Sequence, residues 1–157
     1  MNITIRKATI AELEQILDVN YKYLNRLSVQ WDPLLVESWT QSEKGHKYFS
    51  DKITDENQCM FVAVDGDKIV GFIDGEITEK DYLEPGIYAE LNDIALATEY
   101  QQKGIGKQLV EEFMTWCKDK QVDHVYVSAF VQNTNAIEFY HKLGFKDLDV
   151  GLRLKLK

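Results

Sequence analysis

Gln101-Gln102-Lys103-Gly104-Ile105-Gly106-Lys107 is the stretch that decides how this chain folds. It follows an apolar, strand-like run, Leu91, Ile94, Ala95, Leu96 and Ala97. It leads into residues whose apolar members, Ile105, Leu109, Val110, Phe113, Trp116 and Cys117, recur at helical spacing. Two glycines ahead of a helix let the backbone approach a ligand with no Cβ in between. The first helical turn points unpaired N–H groups, at the positive end of the helix dipole, into the same space. Strand, glycine turn and helix together make an anion site, most often a phosphate site.

Two familiar phosphate loops do not fit. A Walker loop needs Gly, four residues, then Gly-Lys-Ser/Thr. Here Gln101 stands at the first Gly and Gln108 at the hydroxyl, so no metal-binding hydroxyl is present. A dinucleotide fingerprint needs a third Gly where Leu109 stands, and it opens the first strand–helix unit of a domain. The pattern that does fit is Gln-x-x-Gly-x-Gly, read as Gln101, Gly104 and Gly106. It resembles the acyl-coenzyme A loop of the GNAT family of N-acetyltransferases.

A second stretch, Asn133-Thr134-Asn135-Ala136-Ile137-Glu138-Phe139-Tyr140-His141-Lys142-Leu143-Gly144-Phe145, resembles the same family's downstream signature. Its physics is readable independently. Asn133 or Asn135 suits a helix N-cap. Ala136, Ile137, Tyr140 and Leu143 recur at helical spacing, and Gly144 is placed to end the helix left-handed. The resemblance covers the last half of the chain specifically and the first half in its order of elements.

Length and composition bound the rest. The 157 residues suit one domain, 1–157, with a sizeable core. No apolar run approaches the ~20 residues needed to span a membrane, and the start lacks a signal peptide's layout. Cys59 and Cys117 have no metal-ligand spacing, and Cys117 lies on a helix's apolar stripe. The expectation is a cytoplasmic protein without a metal. A net charge of −8 argues against a nucleic-acid partner and favours a cationic substrate.

Along the chain, Ile3 and Ile5 alternate with polar residues as a first strand. Thr9-Ile10-Ala11-Glu12 is a capping box opening a helix to about Leu27. Asp32-Pro33 predicts a second helix, broken at Gly45, with a short helical piece to Ile53. Met60–Val64, a turn at Asp65-Gly66-Asp67 and Ile69–Ile77 read as a hairpin. Glu79–Gly86 reads as a loop and Tyr88–Ala97 as a strand. Val125–Val131 is a strand before the Tyr140 helix, and Phe145–Leu148 and Val150–Leu156 are final strands. The order β-α-α-β-β-β-α-β-α-β-β is a mixed α/β sheet with helices on both faces. It is also the order of the GNAT acyl-coenzyme A N-acyltransferase fold. The last strand's charges blunt an edge, and its pairing across a homodimer is left open.

The resemblance implies an activity: transfer of acetyl from acetyl-coenzyme A directly to a primary amine. Backbone groups around Gln102, Lys103, Gly104, Gly106 and Lys107 would hold the pyrophosphate. Ile94 and Leu96 would pair with the pantetheine arm, Asn133 would lie near the coenzyme, and Tyr140 beside the sulfur as the acid. Glu90 lies eleven positions before Gln101, the offset of the base in histone-acetylating members. Asp93 is its competitor. Asn92 stands where polyamine-acetylating relatives often have Glu.

The acceptor pocket is expected from the first two helices and the Glu79–Gly86 loop. Tyr21, Tyr23, Trp31, Trp39 and Tyr82 are candidate walls, and Glu37, Asp74, Glu76 and Asp81 candidate amine partners. Aromatic walls with acidic groups suit a cation, a small cationic amine or a protein Lys or N-terminal amine. A non-catalytic acyl-coenzyme A sensor or scaffold is the alternative, because both signatures chiefly bind the coenzyme.

Overall fold

A computed structural model describes residues 2–79 and 85–157. Strand β1 (Ile3–Lys7) leads to a 3-10 turn at Ile10–Glu12 and helix α1 (Leu13–Asn20). The helix continues through a wider, π-type turn (Tyr21–Asn25) into α2 (Arg26–Ser28). A 3-10 turn at Trp39–Gln41 precedes α3 (Glu43–Thr54). Then come β2 (Gln58–Asp65), β3 (Lys68–Glu79) and β4 (Ile87–Leu96). Helix α4 (Ile105–Asp119), β5 (His124–Val127) and α5 (Thr134–Lys142) complete the order.

The five strands lie in sequence order, β1 to β4 antiparallel and β5 parallel to β4. Alternation sorts their side chains to two faces. Phe61, Ile73, Ala89 and Leu91 meet Leu109, Val110, Phe113 and Trp116 of α4. Met60, Val62, Phe72 and Ala95 meet Ile16 and Leu17 of α1 and Phe49 of α3. This is the mixed sheet, helical on both faces, that the residue pattern predicts. Among the described residues no helix is long and apolar enough to cross a membrane.

The Thr9–Glu12 capping box forms as expected, and Arg6 also donates to the Glu12 carboxylate. The Arg6 bond, ahead of the contacts from Thr9, lowers the Glu12 pKa from the ordinary 4.5 to about 2. A group with a depressed folded-state pKa stabilises above its unfolded pKa and loses that contribution as pH falls through the folded one. Glu12→Gln will therefore lower the melting temperature at neutral pH by the equivalent of about 1 kcal/mol or less. Its difference from wild type will fade between pH 4.5 and about 2, in thermal melts across that window.

Several expectations in the chain give way. The helix at Asp32-Pro33 is a turn. Asp32 accepts from the Leu34 N–H at 3.0 Å, but Leu34 and Val36 stay exposed, so a helix there has no apolar face to bury. Gly45 does not break a helix; it lies in the first turn of α3. A Cβ there would stand 2.5 Å from the backbone of Trp39 and Thr40, so the glycine permits the close approach of the preceding turn. The strand at Val125–Val131 is shorter, ending at Val127.

The C-terminal strands at 145–148 and 150–156 do not join the sheet. Alternation confers strand potential but needs an edge to pair with, and β5 runs only four residues. Leu148, Val150, Leu152, Leu154 and Leu156 lie exposed, and Arg153 ties the tail to Asp32 through two bonds of 2.8 and 2.7 Å. Residues 80–84, with Asp81 and Tyr82 of the expected loop, lie outside the described residues.

Candidate active site

β4 pairs with β3 from Ile87 to Leu96, but with β5 only from Tyr88 to Leu91. Past Leu91 the ladder with β5 stops, because β5 ends at Val127. The register with β3 also shifts there: Asp74 faces Asp93 and Gly75 faces Leu91, leaving Asn92 as an extra residue. Such a bulge bends the strand and re-aims its groups. Ile94 and Leu96 therefore carry backbone N–H and C=O groups along an edge that β5 does not cover.

That edge runs into the glycine loop. The Gln101 side chain donates to the Leu96 carbonyl at 3.0 Å, so it fastens the loop to the strand end. Gln102 (φ 59°) and Gly104 (φ 80°) are both left-handed, a costly backbone for Gln102 and one that turns the chain into α4. No side chain caps α4. Its first amides, at Ile105, Gly106 and Lys107, lack helical acceptors by geometry and face out along the helix axis. Lys103 lies 5.7 Å from the Tyr100 ring, and Lys107 pairs at 3.6 Å with Glu111.

Helix α5 packs beside this turn, a Cβ on Gly106 falling 3.5 Å from the Phe139 ring. Asn133 caps α5, its side chain accepting the Ala136 N–H at 3.3 Å, which decides between the two Asn candidates. Tyr140 is buried, its ring 5.4 Å from Phe139 and 5.5 Å from Phe145. Burial first, and then the nearby Asp93 charge, push its pKa up, so the phenol stays protonated.

The opposite face of the bulge is acidic. Asp74 and Glu76 on β3 sit across from Asp93 and Glu90 on β4. Asp74 is fully buried, and among the described residues no side chain donates to its carboxyl group. Lys52 of α3, fully buried as well, donates to Glu76 at 2.9 Å and to Asn92 at 2.7 Å. Its Nζ lies 4.9 Å from the Tyr48 ring centre. Glu90 is half-buried, between Glu76 and Tyr126 in register. The site thus holds an open strand edge and an anion cradle, with a neutral phenol on one face of the sheet and a carboxylate cluster on the other.

Residues 21–145 match the family model described as Acetyltransferase (GNAT) family. The chain belongs to that family. An uncharacterized N-acetyltransferase of Methanocaldococcus jannaschii is 24% identical over 94% of this chain, which spans 62% of that relative's length. An N-alpha-acetyltransferase of Saccharolobus solfataricus is 27% identical over 95% of this chain and 83% of its own. The structure of AAC(6')-Iy with a bisubstrate analogue, CoA-S-monomethyl-acetylneamine, superposes with a TM-score of 0.75. It is 17% identical and covers 100% of this chain and 99% of its own, a likeness of fold.

Of the candidate pocket walls in this GNAT chain, Tyr21 donates to Glu37 at 3.3 Å, and Tyr23 and Trp39 pack on the core near α1. Trp39 donates to Asn25 at 3.1 Å, and Asn25 donates to the Glu37 carbonyl at 2.9 Å. The π-type turn carrying Tyr21 and Asn25 packs against β4. Asn25, Tyr48 and Lys52 escape sequence reasoning. The available signal is Lys52 on one stripe with Gly45 and Phe49, an unusual place for a Lys.

Proposed function

We propose that this acetyltransferase moves acetyl from acetyl-coenzyme A directly to a cationic primary amine, a small amine or the Lys or N-terminal amine of a protein. The observation that carries this reading is the edge of β4 past Leu91, which β5 does not cover. It ends on an uncapped helix N-terminus, with Tyr140 on one side and the carboxylate cluster on the other. The donors suit the coenzyme. A pantetheine arm laid along Ile94 and Leu96 replaces the missing strand. Its pyrophosphate meets the backbone of Gln102, Lys103, Gly104, Gly106 and Lys107. Gln101 and Asn133 act on coenzyme binding indirectly, by fixing the loop and starting α5.

Transfer needs donors for the carbonyl oxygen, an acid for the departing thiolate and a base for the ammonium. The bulged backbone of β4 supplies the first, and Tyr140 the second. The base is a carboxylate of the cluster: the family pattern points to Glu90, and Asp93 is its competitor. Among the described residues, the carboxylates of Glu76, Glu90 and Asp93 outnumber the one cation, Lys52, which favours a cationic acceptor. The relative named N-alpha-acetyltransferase and the fold neighbour carrying a bisubstrate analogue support an amine acceptor. A cytoplasmic setting accompanies the reading, on two buried free thiols, Cys59 and Cys117.

Calorimetric titration with acetyl-coenzyme A is expected to give a dissociation constant well below about 1 mM. Thiol release with an amine library is expected to rank cationic amines first. No binding at that level would overturn the reading. Tight binding without turnover on any amine would make the protein a coenzyme sensor or scaffold.

A further inference from the structure

Four carboxyl groups line the sheet under α3, and only one can be the base. We propose that Asp93 takes the amine's proton, and that buried Lys52, bonded to Glu76 and Asn92, is the positioning residue that holds the bulge beside it. The inference rests on the acetyltransferase reading and deepens it.

Directly opposite residues of an antiparallel pair share a face, and like charges there repel. Asp74 and Asp93 are such a pair. Asp74 is fully buried, and among the described residues no side chain donates to its carboxyl group, an environment that disfavours its ionised form. The pair therefore carries one negative charge at neutral pH. Asp74 keeps its proton: burial first, then the Asp93 charge, raise its pKa well above the usual range. Asp93 is half-buried and holds the charge. Burial raises its pKa to about 6, against the opposing pull of Lys52. A base is most effective with a pKa near the working pH.

Position separates Asp93 from Glu90. Glu90 stands on the part of β4 still paired with β5, opposite Tyr126. Asp93 stands past the end of the β5 ladder, near enough to Tyr140 that its charge adds to burial in raising the phenol's pKa. Among the described residues, the groups around Asp93 are Lys52 and Tyr48 from α3, Asp74 opposite it on β3, Tyr140 from α5, and Glu76 and Glu90 farther along the same face of the sheet. Lys52 spans the irregularity, from Glu76 on β3 to Asn92 in the bulge.

The step balances. The Asp93 carboxylate takes one proton from the ammonium. The freed nitrogen lone pair attacks the thioester carbon, forming the C–N bond. The C–S bond then breaks with its electron pair on sulfur, which takes the Tyr140 proton. The second proton leaving nitrogen restores Tyr140. Asp93, partly exposed, returns its proton to solvent, so one amide, one thiol and one proton result.

The test is a pH–rate profile with saturating acetyl-coenzyme A, beside a carbon-13 titration of the side-chain carboxyls. Asp93→Asn is expected to lower kcat by about a hundredfold, flatten the acidic limb and remove a carboxyl that titrates near 6. Glu90→Gln is expected to keep the limb and chiefly raise the amine KM. Lys52→Met is expected to move limb and resonance up by about one unit, since a lost cation raises a carboxylate's pKa; Lys52→Arg restores them. Lys52→Met endangers the fold, so the base is decided on Asp93→Asn and Glu90→Gln. A limb lost in Glu90→Gln, or an Asp93 resonance among ordinary carboxyls, overturns the proposal. A folded Lys52→Met with an unmoved limb overturns the part played by Lys52. If the wild type turns over no amine, the acetyltransferase reading fails separately, and the titration still judges the pair.

Discussion

Replacing Gly104 with valine will raise the KM for acetyl-coenzyme A by about tenfold or more and leave kcat at saturation nearly unchanged. Gly104 holds φ 80° immediately before α4, and that turn aims the first amides of the helix toward the open edge of β4. Among the described residues nothing lies within 4 Å of where a Cβ would stand, so steric blockage is not the cause. The cost is conformational. A β-branched residue held left-handed is strained by about 1–3 kcal/mol, and about 1.4 kcal/mol is a factor of ten in affinity. The loop will relieve the strain by leaving the left-handed region, and the amide cradle will open. Asparagine tolerates that region better, so the order of loss is expected to be Val above Ala above Asn. Steady-state KM and calorimetric Kd measure it. Equal losses for Asn and Val would remove the conformational explanation, and no loss in any variant would take the pyrophosphate off this loop.

What was legible in the chain was local. Two glycines before an apolar stripe declare the turn and α4. Asn133, the stripe through Tyr140 and Gly144 declare α5. The Thr9–Glu12 box marks where the first helix opens, and the Gly66 turn marks the β2–β3 hairpin. These depend on residues a few positions apart, where capping and periodicity act directly. What was not legible depends on partners distant in sequence. The β3–β4 register shifts at Asn92, and no residue type announces a bulge there. Lys52 looks like a surface residue until β3 and β4 place Glu76 and Asn92 beneath it. The alternation at 150–156 predicts a strand, but a strand is a relation between two segments, and the four residues of β5 provide no ladder for it. Within the carboxylate cluster, Glu90 and Asp93 are equally visible as acidic residues. Only the register with Asp74 and the place where β5 ends distinguish their surroundings.

Tyr140→Phe will lower kcat by more than about tenfold, within the usual general-acid range of 10²–10⁴, and barely change acetyl-coenzyme A affinity. The substitution keeps the ring that packs against Phe139 and Phe145 and removes only the hydroxyl. Burial and the Asp93 charge raise the phenol's pKa above its ordinary value, so it is protonated throughout the neutral range. Its proton is then available to sulfur but weakly acidic. A free thiol has a pKa of about 8.5, which makes an isolated transfer from the phenol uphill. The transfer becomes feasible when the proton leaving nitrogen arrives as the Tyr140 proton departs. This has a consequence for pH dependence. A group protonated at every working pH contributes no limb to the profile, so its loss lowers kcat uniformly and leaves the shape intact. Asp93→Asn, in contrast, changes the shape. Parallel profiles for the wild type and Tyr140→Phe, with matching Kd for acetyl-coenzyme A, are the expected result. A basic limb that disappears in Tyr140→Phe would show that the phenol ionises in the working range. An undiminished kcat would leave Tyr140 as a packing residue of the α5 helix.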